Sequence, residues 1–324
     1  MNYDEFVNYV REGMEDVLGD DCIVSTHKVL KNNDIELEAL TVINKESNVS
    51  PTIYLNSYYE EYKKGTDKGQ IIKEIYELYN EHSLKINFNV DIFKDYNRIS
   101  KRIVYKLINT KTNEKLLNEI PSFEYLDLSI VFYCLLDDEL LGSATALIHN
   151  VHMEMWEIDE AELLKVAKAN TPELLPYELK NMNDVIREML ISDLQQTIYE
   201  KDDRYDMNCN MPGPDIVADG LLKDINSAGN EVAMYVLTNK QKTNGAICML
   251  YDNVLENFAN ELEKDLFILP SSVHEIIIVP ATDDVDREEL DNMVKDVNEK
   301  ELDAIDVLSD HVYYYSRERR EVCL

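Results

Sequence analysis

The longest uninterrupted apolar run in this chain, Ile130 to Leu136, is seven residues long. A helix crossing a bilayer needs about 20 apolar residues. The core is therefore expected to be gathered from many short elements. With 45% hydrophobic and 30% charged residues, and only 9 glycines and 8 prolines, the composition excludes collagen-like and low-complexity chains. It favours regular secondary structure. At 324 residues the chain is long enough for two or three domains. The start, MNYDEFVNYVREGMEDVLG, carries acids inside an amphipathic pattern and does not read as a signal peptide. Five scattered cysteines without paired spacing read as reduced thiols and point to the cytoplasm.

Periodicity divides the chain. Phe6, Val7, Val10, Met14, Val17 and Leu18 predict a first helix ending at Gly19. Short β stretches follow at 23–30, 35–44 and 52–55, then a helix over 66–81. The segment 91–109 reads as helical at first. Tyr125 to Leu136 and Ser143 to His149 predict a hairpin across Asp137-Asp138-Glu139. Helices are expected from Asp159 until Thr171-Pro172 stops the pattern, and over 183–200. Residues 201–230, with their acids, asparagines and Pro-Gly-Pro cluster, read as a linker. Beyond them, strands at 234–237 and 246–250, a helix, two strands, a helix and a last strand at 312–315 give the order β-β-α-β-β-α-β. The expected class is α+β, mixed sheets with helices packed on them. The expected parts are an N-terminal α+β region (1–120), a middle hairpin with helices (121–200), the linker and a C-terminal domain (231–324).

Charge narrows the partners. The formal net charge is −32, and it is uneven: residues 1–120 carry 16 basic and 21 acidic side chains, residues 121–324 the other 16 and 43. Such a field repels nucleic-acid phosphates and anionic membranes from the C-terminal two-thirds. Nucleic acid is thus not an expected partner; an acidic surface imitating DNA toward a DNA-binding protein is an alternative. One basic strip, Lys94, Arg98, Lys101, Arg102, Lys106, Lys111 and Lys115, interleaved with Tyr96 and Tyr105, either meets an anion or docks internally.

The sequence contains no phosphate-binding G-x-x-x-x-G-K-[ST], no G-x-G-x-x-G, no G-x-S-x-G, no H-E-x-x-H and no C-x-x-C. No cofactor is indicated. Two segments bear chemistry. His149 and His152, with Glu154 and Glu157, could ligate a metal if the backbone turns between the imidazoles. The alternative is a strand terminus with Met155 and Trp156 in the core. Ser271, Ser272, His274 and Glu275 bring hydroxyl, imidazole and carboxylate together in a turn, which suggests a nucleophile and base. Against this, triads are assembled from distant segments, and the serines could equally satisfy free backbone groups. Twenty tyrosines against seven phenylalanines suit half-buried, polar-rimmed contact surfaces. Tyr313-Tyr314-Tyr315 suggests an edge or inter-domain packing surface.

Taken in order, YKLINTKTNEKLLNEIP (105–121), LDLSIVFYCLL (126–136), GSATALIHNVHMEMW (142–156), MYVLTNKQKTNGAICMLY (234–251), LFILPSSVHEIIIVP (266–280) and VLSDHVYYY (307–315) resemble an uncharacterised family of clostridial bacterial proteins with a domain-of-unknown-function label. The resemblance covers most of the chain and implies a cytosolic bacterial protein. It implies no activity and no catalytic residue. The functional expectation is a binding or adaptor protein acting through protein contacts. The alternative is a hydrolase or metal-dependent enzyme using His149, His152 and the 271–275 segment.

Overall fold

The computed structural model describes residues 1–44, 51–82, 91–136, 144–200, 213–226, 232–270 and 272–324. Ser271, the acidic turn 137–139 and parts of the 201–230 segment lie outside them. The chain divides into two compact units, residues 1–124 with 129–170, and residues 125–128 with 171–324.

The first unit begins with helix α1 (Tyr3–Leu18), opened by an Asn2–Glu5 capping box and closed at Gly19, whose φ is +71°. Its buried face, Phe6, Val7, Val10 and Met14, packs against the antiparallel sheet of β1 (Cys22–Leu30), β2 (Glu36–Asn44) and β3 (Thr52–Tyr54). Helix α2 (Leu55–Lys64) has no counterpart in the aliphatic pattern, because tyrosines form its inward side. Tyr59 and Tyr62 stand 5.3 and 5.6 Å from the Phe6 ring. Helix α3 (Lys68–His82) adds Ile71, Ile75 and Tyr79 to the same core.

Short helices α4 (Asp91–Lys94) and α5 (Tyr96–Ile99) lead into β4 (Ile103–Asn109), so the helical reading of 91–109 holds only for its first half. After α6 (Glu114–Leu117) come β5 (Ser122–Tyr125), β6 (Leu128–Leu135) and β7 (Thr145–Leu147). Strand β6 lies at the centre, beside β4, β5 and β7, which accounts for its unbroken apolar run. The predicted strand over 125–136 is in fact two, because Leu126 takes a φ of +55° and turns the chain. Helix α7 (Asn150–Trp156) then leads to α8 (Glu160–Leu174), where Asp159 accepts from the Glu162 N–H at 2.8 Å. Pro172 does not end α8. So near the C-terminus a proline removes a single ladder bond, and the Leu175 N–H still closes onto the Thr171 carbonyl at 2.8 Å.

Among the described residues, the second unit is built on six antiparallel strands in the order β13-β12-β10-β11-β9-β8. These are β8 (Tyr177–Asn181), β9 (Tyr235–Asn239), β10 (Leu266–Leu269), β11 (Ile276–Pro280), β12 (Tyr313–Ser316) and β13 (Glu321–Cys323). Helices α9 (Met182–Glu200), α10 (Pro214–Asn226), α11 (Val254–Leu262) and α12 (Arg287–Lys300) complete it. The α+β class therefore holds, with antiparallel rather than mixed sheets. Two further corrections are local. Helix α10 occupies part of the segment read as a linker. Residues 246–250, read as a strand, belong to a buried 3-10 helix, Gly245–Leu250. A short run that is apolar throughout carries no periodicity to separate the two.

Side-chain alternation gives this sheet two faces. On one, Leu237, Ile276, Ile278, Leu266, Ile268 and Tyr313 are buried completely. Tyr235 on this face meets Phe258 of α11 at 4.9 Å. On the other, Leu269 and Val279 pack against Leu290 and Val294 of α12. Farther along this second face, Val236 and Ile277 are only partly covered. That is where α9 passes.

Candidate functional site

Helix α9 presents Met182, Val185, Ile186 and Met189 at the i, i+3, i+4, i+7 spacing of one stripe. Between this stripe and the sheet runs a groove of about 280 Å³ with Val236 and Ile277 in its floor. Met189 is 62% exposed, an unusual state for a large apolar side chain on an inward stripe. Charge rings the groove: Glu178, Lys180, Glu188, Lys242 and Glu275 all line it. The Lys180 ammonium bridges strand to helix, 2.8 and 2.9 Å from the two Glu188 oxygens and 3.2 Å from Glu178. The Glu188 hydrogen bond raises the Lys180 pKa, and the same bond lowers that of Glu188.

The 272–275 turn adjoins this groove through Glu275 and Thr238. Ser272 is buried; its Oγ donates to Glu275 Oε1 at 2.8 Å and accepts from the His274 N–H at 3.0 Å. The His274 ring is engaged on both sides. Nδ1 accepts from the Asn244 N–H at 3.2 Å, so Nε2 carries the proton and faces Asp306 Oδ1 at 3.2 Å. The imidazole is thus paired with a carboxylate, as a catalytic base would be, but the serine hydroxyl is directed to Glu275 instead of the ring. Nucleophile activation needs the hydroxyl on the base. In this arrangement the four side chains brace a turn. Thr238 Oγ1 reinforces it by donating to the His274 carbonyl at 2.7 Å, and buried Asn239 holds the 240–244 loop with its amide, donating to the Thr243 carbonyl at 2.7 Å. Thr238, Asn239, Asn244 and Asp306 gave no signal in the sequence, since they meet the turn only through folding.

His149 and His152 belong to the first unit, and 272–275 to the second. The backbone does turn between the two histidines, because His149 immediately precedes α7. Their rings lie 5.6 Å apart, edge to face. His152 Nδ1 accepts from the His149 N–H at 2.9 Å, and its ring rests edge-on against Phe93 at 4.9 Å. The Trp156 indole N–H donates to the Phe93 carbonyl at 2.9 Å. Burial first, then the neighbouring His149, lowers the His152 pKa. Among the described residues, no group of three or more His, Cys, Asp or Glu side chains is placed to hold a metal ion.

The basic strip is spread over α4, α5, β4, α6 and the turns between them. Arg98 meets Asp95 at 3.3 Å, Lys115 meets Glu36 at 3.6 Å, and Lys106 lies over the Tyr133 ring at 5.9 Å.

Together the fold and the groove define an α+β protein with an apolar, charge-rimmed cleft between a helix and the end of an antiparallel sheet. Among the described residues no helix is long and apolar enough to cross a membrane. The chain belongs to the Family of unknown function (DUF5688), which it matches over residues 3–317. No curated protein and no solved structure matches it.

Proposed function

We propose that this protein is a cytoplasmic binding or adaptor protein that acts through contacts with a partner protein, received in the groove between α9 and the sheet. The observation that carries this reading is the half-covered stripe of α9, with Met189 62% exposed beside a floor of Val236 and Ile277. An apolar centre within a charged rim is the anatomy of a protein interface. The four described free cysteines support the cytoplasmic part of the reading.

Affinity capture from cells that express the chain naturally tests it, comparing the wild type with Met189→Glu. The expected result is a stoichiometric protein partner recovered by the wild type and lost by the variant, with both equally folded by circular dichroism. Recovery of no partner, together with turnover of an ester, phosphoester or peptide substrate, would reverse the reading in favour of the hydrolase alternative.

A further inference from the structure

Among the described residues, strand β8 ends the six-stranded sheet. Two backbone bonds bracket its pairing with β9: the Met182 N–H to the Met234 carbonyl at 2.9 Å, and the Lys240 N–H to the Pro176 carbonyl at 3.0 Å. In an antiparallel ladder, hydrogen-bonded pairs alternate with pairs that are not bonded. Counting inward from both ends, Glu178 and Lys180 bond to β9. The N–H and C=O groups of Tyr177, Leu179 and Asn181 therefore point away from the sheet. The register Tyr177↔Asn239 to Asn181↔Tyr235 runs without a bulge, and no proline lies within the strand. Among the described residues neither a bulge nor a proline within the strand blunts this edge; its charged side chains are Glu178 and Lys180, the lysine bonded to Glu178 and Glu188.

Resting on the groove reading above, we infer that the β8 edge takes an extended, basic segment of the partner protein as a seventh strand. Main-chain bonds to Tyr177, Leu179 and Asn181 would supply the register, as in β-strand addition. The sign of the partner follows from charge complementarity. Three carboxylates line the groove (Glu178, Glu188, Glu275) against two lysines, within the part of the sequence that carries most of the −32 charge. On the opposite face, Tyr177 is 47% exposed and offers an apolar surface to alternate residues of the incoming strand.

The probe is a fluorescein-labelled eight-residue peptide of alternating valine and lysine, titrated onto the full chain by anisotropy. A valine–glutamate peptide and the valine–lysine peptide N-methylated at alternate residues run beside it. We expect saturable binding of the lysine peptide only, because N-methylation removes the strand's donors. Hydrogen exchange should show the Tyr177, Leu179 and Asn181 amides fast in the free protein and slowed by the peptide. Leu179→Pro deletes an outward donor at a position where an edge tolerates proline, and should weaken binding roughly tenfold in a variant that keeps the wild-type circular dichroism spectrum. Equal binding of the N-methylated or glutamate peptide, absence of lysine-peptide binding, or slow exchange at these amides in the free protein would each overturn the inference. If Met189→Glu loses the natural partner while Leu179→Pro retains it, the groove reading stands and strand addition falls.

Discussion

Gly245 shows how a single residue positions the groove wall. A Cβ there would collide with Thr238 Oγ1 and the His274 carbonyl oxygen and come within 2.7 Å of the Asn239 nitrogen. These are backbone and buried hydroxyl atoms that cannot swing aside. Gly245→Ala is expected to lower stability by about 1–3 kcal/mol, the range for overpacking a close-packed site. Urea denaturation reads it, and an unchanged midpoint would mean that the turn is far softer than its hydrogen bonds imply. Asn113 plays a similar part in the first unit. Fully buried, its Oδ1 accepts from the Asn33 N–H at 2.8 Å while its Nδ2 donates to the Asn109 carbonyl at 2.8 Å. Nearby, Asp34 accepts from the N–H groups of Lys115 and Leu116 at 2.9 and 3.1 Å, anchoring α6 from eighty residues upstream. The run Asn109 to Asn113 (NTKTN) is legible in sequence as a turn, from its asparagines and threonines. Its distant partner is not, because an asparagine side chain bonds equally well to any backbone it meets.

Among the elements, α7 carries a pH dependence. Burial of the His152 ring, which rests against Phe93, disfavours its protonated form, and the neighbouring His149 adds to this. Its folded pKa therefore lies below the ordinary value of 6.5. In the unfolded chain the same imidazole takes a proton more readily. The unfolded state binds more protons in the window below about 6.5, so stability rises with pH there and falls as the medium is acidified. Urea midpoints between pH 5 and 7.5 should show this slope in the wild type, and His152→Gln should flatten it. A slope of the opposite sign would mean that His152 is stabilised in its charged form. Elsewhere, elements with aliphatic periodicity (α1, α3, α11, α12) were readable in sequence, whereas α2 with its tyrosine face and the five-residue β8 were not. Strand β8 mixes Glu178 and Lys180 with Leu179, and only its ladder with β9 makes it a strand.

Across the whole molecule, charge is the dominant long-range term. A net charge of −32 repels itself in the folded state more than in the expanded chain. The screening length is about 30 Å at 0.01 M salt and about 8 Å at 0.15 M. The melting temperature is therefore expected to rise with sodium chloride over that range and then level off. Calorimetry checks this, and a falling melting temperature would show that attractive ion pairs outweigh the net repulsion. The second unit is also discontinuous: residues 125–128 belong to it, separated in sequence from 171–324. Asp127 accepts from buried Tyr313 at 2.7 Å and from Ser309 at 2.6 Å. The tyrosine triplet thus forms an interior strand instead of an edge, with Tyr314 bonded to Asp265 at 2.6 Å.

By itself the sequence determined the α+β class, most long helices, the hairpin of β6 and β7, the charge asymmetry and the family. These follow from local periodicity and composition, which need no knowledge of neighbours. Only the tertiary structure decided that Ser272 serves Glu275 instead of His274, that Asp306 and Asn244 hold the imidazole, and that α9 leaves a groove beside β8, the last strand of the sheet among the described residues. The imidazole's partners and the groove depend on which groups meet across tens of residues, and the serine's partner on the course the folded turn takes. A hydroxyl, an imidazole and a carboxylate spell the same letters in a braced turn as in a catalytic site.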